Sequence, residues 1–171
     1  NTFLNLSHKH QLKTMFVLLD DVWHPIPKLG KQPKPIPFIH NSGWVQAPGA
    51  EILGDSLRHN ELKSYIKGVI TNFANDKRVI AWDLYNEPDN VANQPDRIKI
   101  EIKDKYIFSF ALLKKVMHWA REVNPSQPLT VGLWKGDHTL WGTPKSLRPL
   151  ERFMVENSDC LLYTSPSPRD R

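Results

Sequence analysis

Three segments of the chain share one order of hydrophobic and polar positions: an apolar run, a loop and an amphipathic stretch. The apolar runs cover residues 14–21 (TMFVLLDD), 79–85 and 129–134, and runs of this length are typical of strands buried on both faces. In the stretches that follow, apolar residues recur at i, i+3 and i+4 spacing, which predicts helices. The predicted helices cover about 57–75, 104–123 and 146–156. A fourth strand is predicted to begin near residue 158.

The repeated order of strand, loop and helix predicts parallel strands joined by right-handed crossovers. Two α/β architectures have this order: an open doubly wound sheet and a (β/α)8 barrel. No glycine-rich turn directly follows a strand, as a dinucleotide-binding sheet requires. The strand ends carry acids, amides and indoles instead, which favours the barrel. Because a whole barrel takes about 250 residues, the sequence predicts an incomplete barrel of three to four βα units.

The loop over residues 22–54 is far longer than a plain βα connection. It is rich in proline and contains Trp23 and Trp44. Proline reduces what a loop loses on ordering, and the embedded aromatic residues argue against a disordered linker. We expect this loop to form a wall of a binding cleft.

Composition and charge exclude several classes of partner. The 171 residues carry a net charge of +5, with Lys and Arg interleaved among Asp and Glu. This pattern favours a solvated, mildly basic surface over a nucleic-acid footprint. No apolar run approaches the roughly 18 residues of a membrane-spanning helix. The histidines lack the spacing of a metal site, so no metal, cofactor, nucleic-acid or membrane partner is predicted.

The two ends of the chain differ in kind from its middle. Residues 160–171 (CLLYTSPSPRDR) resemble the translation of a transposase adapter used in sequencing libraries. We therefore interpret residues 1–159 as one partial domain and residues 160–171 as a non-native tail. A disordered Ser/Pro tail is the alternative. No initiator Met or signal peptide is present, so the compartment is unknown, and a secreted or periplasmic parent is compatible with a missing N-terminus.

Glu87 is the main candidate for chemistry, because it closes the second apolar run just before Pro88. Hydrolysis of a glycosidic bond needs one carboxylic acid to protonate the leaving oxygen and a second carboxylate to attack or to activate water. The neighbours Trp82 and Tyr85 are expected to favour the protonated acid, and Asn86 can bind a sugar hydroxyl. Taken alone, a Glu at a strand end is more often a surface or ion-paired residue.

The segment WDLYNEP resembles the Asn-Glu-Pro signature at the end of the fourth barrel strand in glycoside hydrolases of clan A, the cellulase-like superfamily that includes family 5. With FVLLDDVWHP and HNSGWVQAPG upstream, residues 1–159 are similar to bacterial proteins described as β-1,4-xylanase-like or cellulase-like. The resemblance implies that Glu87 is the general acid/base and that Asn86 contacts the sugar 2-hydroxyl. The resemblance also implies that the three apolar runs and the strand predicted near residue 158 correspond to strands 3 to 6 of a barrel. The family's nucleophile, a Glu ending strand 7, is absent, so the chain is expected to be an inactive, poorly folded fragment of a retaining glycosidase.

Further residues are candidates for binding a carbohydrate substrate. Indoles stack on pyranose rings. Four tryptophans lie at strand ends or in the loops that follow them: Trp23, Trp44, Trp134 and Trp141. Asp20 and Asp21 end the first strand, where alternation sends one side chain into the barrel and the other toward the helices without deciding which. The candidate substrate-binding residues are Asn86, Trp23, Trp44, Trp134, Asp21 and His24.

Two other functions stay open at this level. One is a carbohydrate-binding barrel without catalysis that has kept the acid and the indoles. The other is an enzyme that uses Asp20, Asp21 and Glu87 on a cation. The sequence downstream of the chain separates the first from an enzyme, and sensitivity to EDTA separates the second.

Overall fold

A computed structural model of the chain describes residues 2–32, 34–39, 42–91, 98–134, 147–160 and 162–163. Helices and parallel strands alternate over most of this length, which confirms the predicted α/β class. The elements are α1 (Thr2–Lys9), β1 (Thr14–Val17), α2 (Ala50–Leu53), a 3-10 helix (Arg58–Leu62), α3 (Lys63–Phe73), β2 (Val79–Asn86), α4 (Lys105–Val123), β3 (Leu129–Leu133), α5 (Pro149–Asn157) and β4 (Leu162–Tyr163).

The four strands form one parallel sheet in the order β1-β2-β3-β4. Each of the three predicted βα units is therefore present, with small changes at the boundaries. The helix predicted over 57–75 begins as the 3-10 helix and becomes an α-helix at Lys63. Asp55 or Ser56 is the cap that the side-chain types predict, but the N-cap residue is Leu57, which makes no side-chain cap. Asp55 Oδ1 instead accepts the Leu57 N–H at 2.9 Å and forms a turn just before the helix.

The fourth strand lies in the segment that we interpret as a non-native tail. Leu162–Tyr163 pairs with β3, and the Thr130 hydroxyl donates to the Cys160 carbonyl at 2.7 Å. The strand expected near residue 158 thus begins four residues later. Strands pair through backbone N–H and C=O groups, which every sequence carries. A two-residue strand in a non-native tail can therefore still pair with β3.

The two faces of β1 differ in what covers them. On one face, Phe16 stacks on Trp82 with ring centroids 5.7 Å apart and lies 6.1 Å from Phe73 of α3. On the other, which we call the open face, Met15 is 38% exposed and Val17 48% exposed. The helices therefore bury only one side of this strand.

The carboxyl ends of β1, β2 and β3 meet at one edge of the sheet, as they must in a parallel arrangement. Asp20 forms a parallel bridge to Asn86 there, and the Glu87 N–H donates to the Gly132 carbonyl at 2.9 Å. The candidate residues at the ends of three strands are thus neighbours. Across the described ranges, no helix has both the length and the hydropathy to cross a membrane.

Candidate active site

Glu87 follows β2 in a backbone conformation that is unusual for its residue type. Its φ is +49°, in the left-handed region, which costs free energy in a residue with a Cβ. The Asn90 N–H donates to the Glu87 carbonyl at 3.1 Å, and Asn90 Nδ2 donates to Glu87 Oε2 at 2.7 Å. A short turn therefore fixes the backbone and the half-buried carboxylate of Glu87 together.

Two more carboxylates lie beside Glu87, and we call Asp20, Asp83 and Glu87 the cleft carboxylates. Asn86 Nδ2 donates to Asp20 Oδ2 at 3.0 Å. Asp83 is 1% exposed, and its Oδ1 accepts the N–H groups of Gly132 (3.1 Å) and Tyr85 (3.2 Å). Among the described residues, Asp83 Oδ2 is buried without a hydrogen-bond partner. The described residues around the Asp83 carboxylate therefore supply fewer hydrogen-bond donors than its two oxygens can accept.

Asp20 and Asp83 hold their protons more tightly than free aspartates. Burial raises the pKa of Asp83 to about 7, and the negative charges of Asp20 and Glu87 add to the effect of burial. Burial also raises the pKa of Asp20, although the Val22 N–H, Asn86 and Trp23 partly oppose it. Near neutral pH the Asp83 carboxyl is therefore partly protonated.

Gly132 allows β3 to approach the Asn-Glu pair. A Cβ at this position would lie 2.4 Å from Asn86 Oδ1, which is closer than side chains tolerate, and a tight 3.2 Å from Asp83 Oδ2. The absence of a side chain lets the polar groups of β2 pack against the backbone of β3. A glycine inside the apolar run over 129–134 is the sequence signal for this contact.

Asp21 lies on the opposite side of the sheet from Asp20. It is fully buried and accepts hydrogen bonds from the Tyr85 hydroxyl (2.5 Å), the Ser109 hydroxyl (2.5 Å) and the Asp89 N–H (2.8 Å). Burial raises its pKa to about 6, against the lowering effect of Lys105. The prediction that Asp21 contacts substrate is therefore wrong, because strand alternation turns its side chain toward α4.

Lys105 ties together the loops that follow β1 and β2. Its Nζ is buried and donates to the Asp21 carbonyl (2.7 Å), the Asn90 carbonyl (2.9 Å) and Glu101 Oε2 (2.7 Å). Gln46, on the returning part of the long loop, donates to the same Glu101 oxygen at 2.6 Å. This network holds the turn that carries Glu87, and its ion pair of Lys105 and Glu101 lies outside every motif of the sequence.

The candidate tryptophans occupy different environments. Trp23 and Trp44 form a T-shaped pair with ring centroids 5.4 Å apart, and Trp44 is 56% exposed. Trp134 is half-buried, and its Nε1 donates to the Pro88 carbonyl (3.0 Å) and to Asp89 Oδ1 (3.2 Å). Trp44 thus offers the most accessible ring, whereas Trp134 stabilises the turn after β2. Trp141 lies outside the described residues.

His24 lies in the long loop, close behind Trp23. Its Nδ1 accepts the Ile26 N–H at 3.2 Å, so the neutral ring carries its proton on Nε2. The backbone of His24 pairs with the returning part of the loop, because its N–H donates to the Trp44 carbonyl at 3.3 Å. The loop therefore fixes this imidazole at the edge of the site.

Arg148, at the start of α5, also contacts the turn after β2. Its guanidinium donates to Asp89 Oδ2 at 2.7 Å and to Glu151, and it lies 4.9 Å from the centroid of the Tyr106 ring. Sequence patterns did not identify this residue, because its partners are up to 59 positions away.

No family model, curated protein or solved structure matches the chain. The function therefore has to be argued from the residues and their geometry. Within the ranges that the structure describes, no group of three or more His, Cys, Asp or Glu side chains is placed to hold a metal ion.

Proposed function

We propose that the chain is the middle part of a (β/α)8 barrel from a retaining glycoside hydrolase that cleaves β-glycosidic bonds in polysaccharides or oligosaccharides. Glu87 is its general acid/base, and Asn86 binds the sugar 2-hydroxyl. One observation carries the proposal: Glu87 ends a central parallel strand, held by Asn90 and flanked by two further carboxylates. Enzymes of this barrel architecture place their catalytic groups at this edge of the sheet.

In the proposed reaction, Glu87 gives a proton to the leaving oxygen and then takes one from the water that hydrolyses the glycosyl-enzyme. Asp83, whose pKa burial raises to about 7, lies beside Glu87 and is partly protonated near neutral pH. Asn86 keeps its amide nitrogen on Asp20, which orients it toward the substrate.

The second carboxylate of a retaining pair stands about 5–5.5 Å from the first. Two glutamates near the site are already engaged: Glu101 pairs with Lys105, and Glu151 pairs with Arg148. The resemblance to clan A implies that the nucleophile is a Glu on a strand outside this chain. On this proposal the isolated chain is inactive.

The open face of β1 supports the incomplete barrel. Met15 and Val17 are exposed there, in register with Ala81 and Asp83 of β2. In a closed barrel the inward-facing residues of all strands fill a common interior. Without the remaining strands, these apolar side chains and the free strand edges favour aggregation.

Kinetics of the complete protein test the role of Glu87. Glu87→Ala should slow hydrolysis of substrates with poor leaving groups by about 10²–10⁴-fold, and activated aryl glycosides much less, because these leave without protonation. Glu156→Ala, on the exposed surface of α5, is the matched control and should leave both rates unchanged. Equal losses on both kinds of substrate contradict an acid/base role. Binding of glycans without any hydrolysis would favour the carbohydrate-binding barrel.

A further inference from the structure

Residues 22–49 of the long loop after β1 carry positive charge and no acid. Between Asp21 and Glu51 the sequence contains Lys28, Lys31 and Lys34 but neither Asp nor Glu, although the chain has 18 acids in total. In the described part of the chain, none of these three lysines takes part in a salt bridge. Their charge is therefore directed at solvent or at a ligand.

A cavity of about 170 Å³ lies between the two arms of this loop. One arm contributes His24, Lys28 and Gln32, and the other contributes Ser42 and Trp44. The volume accommodates roughly ten atoms of water size, which is on the order of one sugar ring. Its lining combines an ammonium group, an imidazole and an exposed indole.

Hydrogen bonds between the arms hold the cavity in shape. The Gln46 N–H donates to the His24 carbonyl at 2.9 Å, in addition to the bond from His24 to Trp44. Gln32 Nε2 donates to the Lys28 carbonyl at 2.5 Å, closing the tip of the first arm. Because these contacts exist before any ligand binds, a ligand pays little ordering cost.

The same loop connects the cavity to the cleft carboxylates. Asp20 and Ala47 exchange two backbone hydrogen bonds of 2.7 and 2.9 Å, three residues beyond Trp44. The Asp20 side chain in turn contacts Asn86. The loop that lines the cavity is thus hydrogen-bonded to the strand end whose Asp20 side chain contacts Asn86.

We propose that this cavity binds a carboxylated sugar, so that the substrate is an acidic β-linked polysaccharide; the inference rests on the proposed function. Trp44 offers a flat apolar face for the pyranose ring. The Lys28 ammonium and the His24 Nε2–H supply a charged and a neutral donor for the carboxylate. Because residues 22–49 contain no acid, a uronate in the cavity meets no repulsion from a carboxylate of this segment.

Binding to the complete protein, made inactive by Glu87→Ala, tests this inference without requiring catalysis. The probes are a xylo-oligosaccharide with one glucuronic acid unit and the same oligosaccharide without it, compared by calorimetry at low and high salt. The acidic glycan should bind about tenfold more tightly or better, and salt should reduce the difference. Lys28→Gln should remove most of the preference, and Trp44→Ala should weaken both glycans. Lys9→Gln, an equal charge change on α1, should alter neither.

Two results would overturn the inference, and they are distinguishable. Equal affinity for both glycans, or equal effects of Lys28→Gln and Lys9→Gln, removes the acidic-sugar site and leaves the proposed function standing. Failure to bind either glycan overturns the inference as well, and the kinetics of Glu87→Ala then decide the proposed function by themselves.

Discussion

Asp20 and Asp21 are adjacent in the chain but belong to two different regions of the molecule. Asp21 lies on the scaffold side of the sheet, with Tyr85, Ser109 and Lys105, where its carboxylate accepts three hydrogen bonds. Asp20 lies on the cleft side, with Asp83, Asn86 and Glu87. There, the Asp83 carboxylate keeps one buried oxygen without a donor among the described residues.

This difference shows how one residue type serves two purposes at a strand end. A buried carboxylate whose hydrogen bonds are complete stabilises the fold and has no capacity left for a ligand. A carboxylate with too few donors costs stability, and it can exchange protons or bind polar groups instead. The substitutions below should therefore affect folding on the scaffold side and titration on the cleft side.

The largest effect is expected on the scaffold side. Asp21→Ala leaves the Tyr85 and Ser109 hydroxyls buried without their acceptor, and should lower the free energy of unfolding by about 4 kcal/mol. Asp20→Ala, the matched change on the cleft side, should cost about 1 kcal/mol. Urea unfolding followed by circular dichroism measures both. Similar losses would show that the two sides do not differ as described.

Lys105→Met should also destabilise the fold, by about 3 kcal/mol. The substitution leaves Glu101 buried without its cation and removes the donor to two carbonyl groups. Lys103→Met, at an exposed position two residues earlier, should change stability by less than about 0.5 kcal/mol. If the two variants unfold at the same urea concentration, the network around Lys105 contributes nothing.

On the cleft side, we expect a carboxylate to make the free energy of unfolding depend on pH. The folded state holds the Asp83 proton up to a pKa of about 7, whereas the unfolded chain releases it near 3.8. The contribution of Asp83 to the free energy of unfolding has its full value below about pH 4 and is lost as the pH rises to about 7. The loss should be on the order of 3 kcal/mol.

Asp83→Asn isolates this contribution from that of Asp21, whose pKa is about 6. In the variant, stability should stop falling near pH 6, and at pH 8 the variant should be more stable than the original chain. Urea titrations between pH 4 and pH 8 measure the difference. A variant with the same slope up to pH 7 would show that Asp83 does not retain its proton.

The smallest effect on stability is expected from the open face. Val17→Thr should change the free energy of unfolding by less than about 0.5 kcal/mol, because Val17 is already half-exposed. It should nevertheless reduce binding of a hydrophobic dye and slow aggregation. Val116→Thr, fully buried in α4, should cost about 2 kcal/mol. Unchanged dye binding in Val17→Thr would argue against an uncovered apolar face.

The sequence was sufficient to predict the parallel α/β fold and the position of Glu87, because both depend on local patterns. Apolar runs and i, i+3, i+4 spacing mark strands and helices, and a strand in a parallel sheet has a defined carboxyl end. An aspartate within the buried run AWDLY was a usable signal for Asp83. A charged residue is unexpected in a strand that is buried on both faces, and this sets Asp83 apart from its apolar neighbours.

Other parts of the site depend on contacts that no local pattern encodes. Alternation alone did not show which of Asp20 and Asp21 faces the cleft, because the bridges to Ala47 and Asn86 decide it. Lys105 reaches the Asp21 carbonyl across 84 positions. As the first residue of an amphipathic helix, it resembled any solvated lysine.

Azide rescue of Glu87→Ala in the complete protein tests the central claim most directly. Azide attacks a glycosyl-enzyme without giving up a proton, so it replaces the water that Glu87 would activate. If Glu87 is the acid/base, azide should restore turnover of an activated aryl glycoside and form a glycosyl azide of the same anomeric configuration as the substrate. No rescue, or a product of inverted configuration, would contradict this role.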